Sequence, residues 1–265
     1  MNLLNKKLEV GLSYKIDFNC DMGESFGMYK MGFDEEVIKY ISSANIACGF
    51  HAGDPMWMRR TVLLAEAHGV AVGAHPSYPD LNGFGRRNLS ADPEEVRNDV
   101  VYQASALSGF TDSKTIQHVK PHGAMYNQAV DDKELGEAIC SAVMEVQEDA
   151  ILLALSGSQW VDTAKGLGMR VGREIFADRA VNDDGTLVSR RIAGSVIHDT
   201  EEVVDRSLRM VTEGKVISVN GNLVEVEAES ICLHGDTPGA VDMAKSLRSA
   251  FEREGIEIIP LANLV

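Results

Sequence analysis

About seven times along this chain, a short apolar run ends in polar residues and is followed by an amphipathic segment of helical period. Units that short cannot bury separate cores, so the alternation demands a parallel sheet with crossover helices. A closed (β/α) barrel and an open doubly wound sheet both satisfy it. The barrel fits better because polar, chemically capable residues follow nearly every strand. Barrel strand ends converge on one site, whereas an open sheet concentrates its ligand at one switch point. No internal repeat, low-complexity run or linker divides the sequence. The expectation is an α/β fold, one (β/α)-barrel domain over residues 1–265 with a small hairpin near 216–228.

The clearest unit is Ala47-Cys48-Gly49-Phe50-His51-Ala52-Gly53-Asp54-Pro55. The apolar run ending at Ala47 reads as a buried strand, and Pro55 opens a helix with Asp54 as N-cap. The glycines around His51 let backbone approach a ligand closely; a structural histidine in a tight turn fits the same residues. Strands are read at 14–20, 44–48, 70–74, 115–119, 150–155, 169–176, 230–233 and 256–259. Helices are read at 34–42, at 55–68, from Asp92-Pro93 to Ser108, from Asp131 as cap to about Val146, up to Gly166, at 200–212, and up to Glu254 before Gly255. Asn220-Gly221 marks a hairpin between 216–219 and 223–228.

Lys+Arg 25 against Asp+Glu 40 gives 25 − 40 = −15 and a pI near 4.9. That balance argues against nucleic acid and anionic membranes as partners. It still allows a small anion held by a local arginine or lysine. The four cysteines lack CxxC spacing, so neither a zinc knuckle nor a disulfide scaffold is expected. Residues 1–13 contain no signal-peptide apolar region and no stretch approaches transmembrane length, which points to the cytoplasm. No GxxxxGK[ST] loop occurs, and Gly83-Phe84-Gly85 lacks a strand-to-helix setting, so spacing alone does not predict ATP.

On the barrel reading, Asp21, Glu24, His51, His75, Lys120, His122, Asp178, Arg179, His234 and Asp236 share one rim, the mixture that general acid–base chemistry requires. Lys120 follows an apolar strand and precedes Pro121, so its ammonium needs a carboxylate, with Asp21 and Glu24 the available candidates. Most of these residues have a structural alternative. Asp54 and Asp236 fit helix caps, Asp178-Arg179 fits an ion pair, Asp17 fits a hydrogen-bonded barrel interior, and His118 fits a core histidine. Arg86-Arg87 reads as a mobile anion clamp or as a solvated pair. Cys20, Cys48 and Cys232 end strands, where packing is a stronger account than nucleophilic catalysis. The histidines and carboxylates could also hold one divalent metal, although no HExxH pair supports it.

Seven segments in order carry a resemblance. They are Asp17-Phe18-Asn19-Cys20-Asp21-Met22-Gly23-Glu24, residues 47–55, Gly73-Ala74-His75-Pro76-Ser77-Tyr78-Pro79-Asp80, Gly83-Phe84-Gly85-Arg86-Arg87, residues 119–127, residues 174–179, and Ile231-Cys232-Leu233-His234-Gly235-Asp236-Thr237-Pro238. Together they resemble the LamB/YcsF family over about residues 15–260. The resemblance implies a deformed TIM-like (β/α) barrel of the glycoside hydrolase/deacetylase type. It also implies cleavage of 5-oxoproline to L-glutamate coupled to ATP hydrolysis, carried out with partner subunits B and C. For that reaction the strand-end residues expected as the catalytic set are Asp21, His51, His75, Lys120, His122, Glu174 and His234. Asn19, Glu24, Arg86, Arg87, Asp178, Arg179 and Asp236 are then the substrate-binding set. The chain departs from the family pattern at Val181, Ser189 and Ser195, which affects loop shape after Arg179. Two other readings stand beside this one: a metal-dependent deacetylase or amidohydrolase acting alone, and a non-catalytic subunit that carries 5-oxoproline.

Overall fold

A computed structural model describes residues 14–235 and 239–265. The readings of residues 1–13 and of Asp236-Thr237-Pro238 lie outside the described residues. Strands β1 (Lys15–Met22), β2 (Ser43–Ala47), β3 (Ala71–His75), β4 (His118–Val119), β5 (Ile151–Leu155) and β6 (Val171–Phe176) follow one another in parallel. A two-stranded hairpin, β7 (Lys215–Ile217) and β8 (Leu223–Glu225), stands outside that sheet. Strand β9 (Ser230–His234) then pairs with both β6 and β1 and closes a ring of seven parallel strands. The short β10 (Glu257–Ile258) adds to the start of β1. Helices α1 (Asp34–Val37), α2 (Pro55–Ala67), α3 (Pro93–Ser108), α4 (Gly123–Asp131), α5 (Lys133–Val146), α6 (Gln159–Gly166), α7 (Thr200–Glu213) and α8 (Ala240–Arg253) alternate with the strands.

The period-2 alternation of β1 explains the barrel's unusual interior. Phe18 faces outward and meets Phe251 of α8 edge-on at 6.5 Å. The intervening Asp17, Asn19 and Asp21 face inward, where aliphatic layers are the rule for such barrels. Asp17 accepts from Ser42 (2.7 Å), Ser43 (2.6 Å) and Ser230 (2.5 Å), and burial still pushes its carboxyl up to about 6. Asn45 of β2 donates to Asn19 (2.7 Å) and Asp21 (2.8 Å), and His118 reaches Asn45 Oδ1 at 2.7 Å. Buried polar groups must be paired, so this column of side chains fixes the register of the ring. Gly73 makes room for it: a Cβ there would lie 2.1 Å from His118 Nε2.

Helix starts follow their local chemistry. Asp54 accepts from the backbone of Met56 and Trp57, and Asp92 with Glu95 forms a capping box. Three expectations need correction. The segment read as a helix at 34–42 is helical only over Asp34–Val37, and the strand read at 115–119 is only His118–Val119. The cap read at Asp131 is Asp132, because Asp131 already ends α4, a helix absent from the sequence reading.

Candidate functional site

The carboxyl ends of the strands bring the expected residues together around Lys120. Its ammonium, 3% exposed as a residue, lies 2.8 Å from Glu174 Oε1, 3.2 Å from Asp21 Oδ1 and 3.3 Å from Asn19 Oδ1. Burial lowers it, but the charges of Asp21 and Glu174 outweigh that and hold it well above the usual lysine range. The expected partner Glu24 is elsewhere: its Oε1 sits 3.2 Å from His51 Nε2, and Glu174 of β6 takes its place beside Lys120. Tyr126 of α4, to which the sequence assigns no role, donates to the other Glu174 oxygen at 2.9 Å. It belongs to the 119–127 segment, so position in that motif was the available signal.

Asp21 is the junction between this lysine and the histidines. Its Oδ2 lies 3.3 Å from His75 Nε2 and 3.9 Å from His234 Nε2. Burial raises its carboxyl, but the charges of His75 and Lys120 prevail and keep it well below the carboxylate range. His75 Nδ1 donates to the Lys120 carbonyl (2.5 Å) and His122 Nε2 donates to the Phe84 carbonyl (2.9 Å). Carbonyls accept only, so both protons are fixed. The facing nitrogens, His75 Nε2 and His122 Nδ1, are 2.9 Å apart. Burial first, then the neighbouring His51 and His75 rings, push His122 well below its ordinary value, and burial likewise pushes His51 well below its own. His51 stacks on His122 with ring centres 3.8 Å apart and 3° between planes.

His234 faces the same space from β9. Its Nδ1 donates to Asp178, 2.9 Å from each oxygen, which turns Nε2 toward Asp21. The Asp178–Arg179 ion pair expected as a structural alternative therefore gives way to an Asp178–His234 pair. Arg179 instead donates to the carbonyls of Ser195 (3.2 Å) and Val188 (2.6 Å). Cys232 Sγ approaches Lys120 Nζ at 3.0 Å, but burial pushes its thiol well above the ordinary range. Cys20 is pushed up in the same way, and Cys48 to about 12, so packing is the role of these cysteines.

These groups open onto a cavity of about 880 Å³. Asp21, His75, Lys120, His122 and His234 line it together with Arg86, Arg87, Arg179, Arg190 and Arg191. In a chain of net charge −15, that is a local concentration of cations. Burial and the nearby Arg190 lower Arg179 to about 10. Of the expected arginine clamp, Arg87 is tied to Asp80 (Nε–Oδ1 2.9 Å) and Arg86 lies 4.7 Å over the Phe84 ring. Sequence reasoning missed Arg190 and Arg191, since only the fold-back of the loop after β6, through the bridges Arg179↔Val196 and Val181↔Leu187, brings them here. Asp236 lies outside the described residues. Two groups have the make-up of metal ligands: Glu24, His51, His75 and His122, and Asp21, Cys232 and His234, with ligand atoms in each group within 4.8 Å of one another. Among the described residues, no helix is long and apolar enough to cross a membrane.

Comparisons with known proteins agree with this geometry. The chain is 54% identical to the 5-oxoprolinase A subunit of Clostridium beijerinckii over 253 residues, covering 95% of this chain and 99% of that one. It is 49% identical to the 5-oxoprolinase A subunit of Pyrococcus horikoshii with the same coverage. The crystal structure of the lactam utilization protein from Thermus thermophilus superposes with a TM-score of 0.87 at 46% identity, covering 92% of this chain and 99% of that one. The LamB/YcsF family profile matches residues 16–265, and the chain belongs to that family.

Proposed function

We propose that this chain is the lactam-opening subunit of an ATP-dependent 5-oxoprolinase. On this reading it converts 5-oxoproline to L-glutamate, with ATP consumed to ADP and phosphate, in company with partner subunits B and C. The observation that carries the proposal is the Asp178–His234 pair. The second ring nitrogen of His234, Nε2, faces a cation-lined cavity in a chain about half identical to proteins named as the A subunit of 5-oxoprolinase.

The lactam of 5-oxoproline is a stabilised amide and a poor electrophile. Transfer of the ATP γ-phosphoryl to the lactam oxygen makes the ring carbon susceptible to water. His234 Nε2 takes the proton from that water, and Asp178 stabilises the imidazolium that forms. The ring C–N bond breaks with a proton delivered to the departing nitrogen, giving γ-glutamyl phosphate. A second water then releases L-glutamate and phosphate. Lys120 neutralises the oxyanion or the substrate carboxylate, and the arginines lining the cavity face the phosphoryl group. No phosphate-cradling loop occurs in the sequence, so ATP binding is assigned to the partners, with this chain receiving the activated lactam.

A contact surface for those partners is at hand beside the rim. The turn after β1 exposes Met28 (97%) and Tyr29 (75%), held by reciprocal backbone bonds between Phe26 and Tyr29 and by Gly27 N donating to Asp54. The test is reconstitution. The isolated chain is expected to form neither glutamate nor ADP from 5-oxoproline and ATP, and the mixture with subunits B and C is expected to form both. Robust coupled turnover by this chain alone would overturn the division of labour.

A further inference from the structure

The geometry points to a site for a divalent first-row transition ion formed by His75 Nε2, His122 Nδ1 and Glu24 Oε1, on the flank of the cavity. Metal-ligating histidines nearly always donate their other N–H to a carbonyl or carboxylate, which fixes the tautomer and aims the lone pair. His75 does so to the Lys120 carbonyl at 2.5 Å and His122 to the Phe84 carbonyl at 2.9 Å. The two remaining nitrogens then converge at 2.9 Å. Ligands at about 2.05 Å from a common ion and at right angles to each other stand about 2.9 Å apart. Glu24 Oε1, 3.8 Å from His122 Nδ1, falls within the reach of a wider angle at the same ion. Asp21 Oδ2, 3.3 Å from His75 Nε2, adds a second carboxylate on that side.

Backbone strain supports the same assignment. Phe84, whose carbonyl orients His122, has φ +54°, a left-handed conformation that a bulky residue rarely adopts. Strain of that kind persists where the surroundings hold it, and it clusters at ligand sites. Gly85 beside it has φ +61° and cannot carry a Cβ, which would meet Ser77 Oγ at 2.3 Å and His51 Cβ at 2.8 Å. The strained pair thus packs directly against the histidines.

The second candidate group fails on charge. Asp21, Cys232 and His234 surround a position next to the Lys120 ammonium, 3.0 Å from Cys232 Sγ and 3.2 Å from Asp21 Oδ1, and that cation already serves their electrostatics. In the Glu24 group, His51 is the weakest member. Its Nε2 meets Glu24 at 3.2 Å, but its Nδ1 has no hydrogen-bond partner among the described residues, so nothing behind the ring fixes its tautomer. His51 holds Glu24 and stacks on His122. Two imidazoles with a carboxylate suit Zn²⁺, Co²⁺, Mn²⁺ or Fe²⁺ in preference to Mg²⁺ or Ca²⁺, which take oxygen ligands. The alternative is an ordinary contact between the two rings, in which the 2.9 Å edge holds no ion.

The two states are separable by experiment. Chelator-treated full-length protein is titrated with Co²⁺ and, in parallel, Zn²⁺, following heat and the visible absorption of cobalt. One ion per chain is expected, with His122→Ala and Glu24→Gln each weakening binding by more than about 100-fold, beyond what loss of an outer-shell partner costs. The exposed-histidine variant His68→Ala/His198→Ala is expected to bind as the parent does. Should His122→Ala fail to fold, the near-isosteric Glu24→Gln decides the matter. Absence of binding, binding unchanged in Glu24→Gln, or binding lost with His68 and His198 would each overturn the site.

Discussion

Lys120 belongs to two accounts at once. With Glu174 fully buried 2.8 Å away and Asp21 at 3.2 Å, removing the ammonium leaves two carboxylates uncompensated. Loss of one member of a buried ion pair costs about 3–5 kcal/mol. Lys120→Met is therefore expected to lose both activity and stability, and Lys120→Met/Glu174→Gln to recover part of the melting temperature but none of the turnover. Recovery of turnover in the double variant would make Lys120 scaffold only. His118 gives a pH prediction. Burial, with a contribution from the Lys120 charge, lowers it from 6.5 to about 3, so in the folded chain it stays neutral while the unfolded chain takes up a proton. The sign follows: its contribution to stability is complete above about 6.5 and is lost as pH falls from there toward about 3. Denaturant unfolding between those limits should be less pH-dependent in His118→Gln, and an unchanged slope would contradict the assignment. Lys120, His75 and His234 were legible from the sequence because each sits directly at a strand end. The partners of Glu24 and Asp178 were not, because which carboxylate meets which cation depends on the stagger of neighbouring strands.

Elements were legible where their ends carry local chemistry. Asp54-Pro55 and Asp92-Pro93 announce α2 and α3 because side-chain oxygens satisfy the first backbone donors. Helix α4 gives no such signal: it begins at Gly123 with His122 as N-cap and no side-chain capping bond. β4 is short because only His118 and Val119 pair before the chain turns toward Pro121. Strand β3 makes a prediction of its own. Gly73→Ala places a methyl 2.1 Å from the His118 ring, which is buried and cannot yield. A loss of about 1–3 kcal/mol is expected from overpacking, measured by denaturant unfolding, and a neutral result would mean that the ring is not held against β3. The turn after β1 is testable as a contact surface. Met28→Asp/Tyr29→Asp is expected to weaken co-purification with subunits B and C while leaving the melting temperature near that of the parent, since both side chains face solvent. Undiminished assembly would remove the turn from the interface.

At the scale of the whole molecule, the alternation of strands and helices was enough to favour a barrel over an open sheet. The closure of β9 onto β1 is what makes a single rim of residues as distant in sequence as Asp21 and His234. The ring of seven strands could not be counted from the sequence, because β10 reads as one more strand while pairing only with the start of β1. The arginine lining was equally hidden, since it depends on how a long loop folds back. On the proposed division of labour, this rim opens a lactam already activated by ATP chemistry on the partner subunits. The most direct measurement follows glutamate and ADP together through the first turnover of the reconstituted mixture, with the chain carrying Asp178→Asn. That change leaves His234 in place without the carboxylate that stabilises its imidazolium, so glutamate formation is expected to fall by about 10²–10⁴-fold while the 5-oxoproline-dependent first-turnover formation of ADP persists. Loss of both products in equal proportion would place the ATP-dependent step at this site and contradict that division.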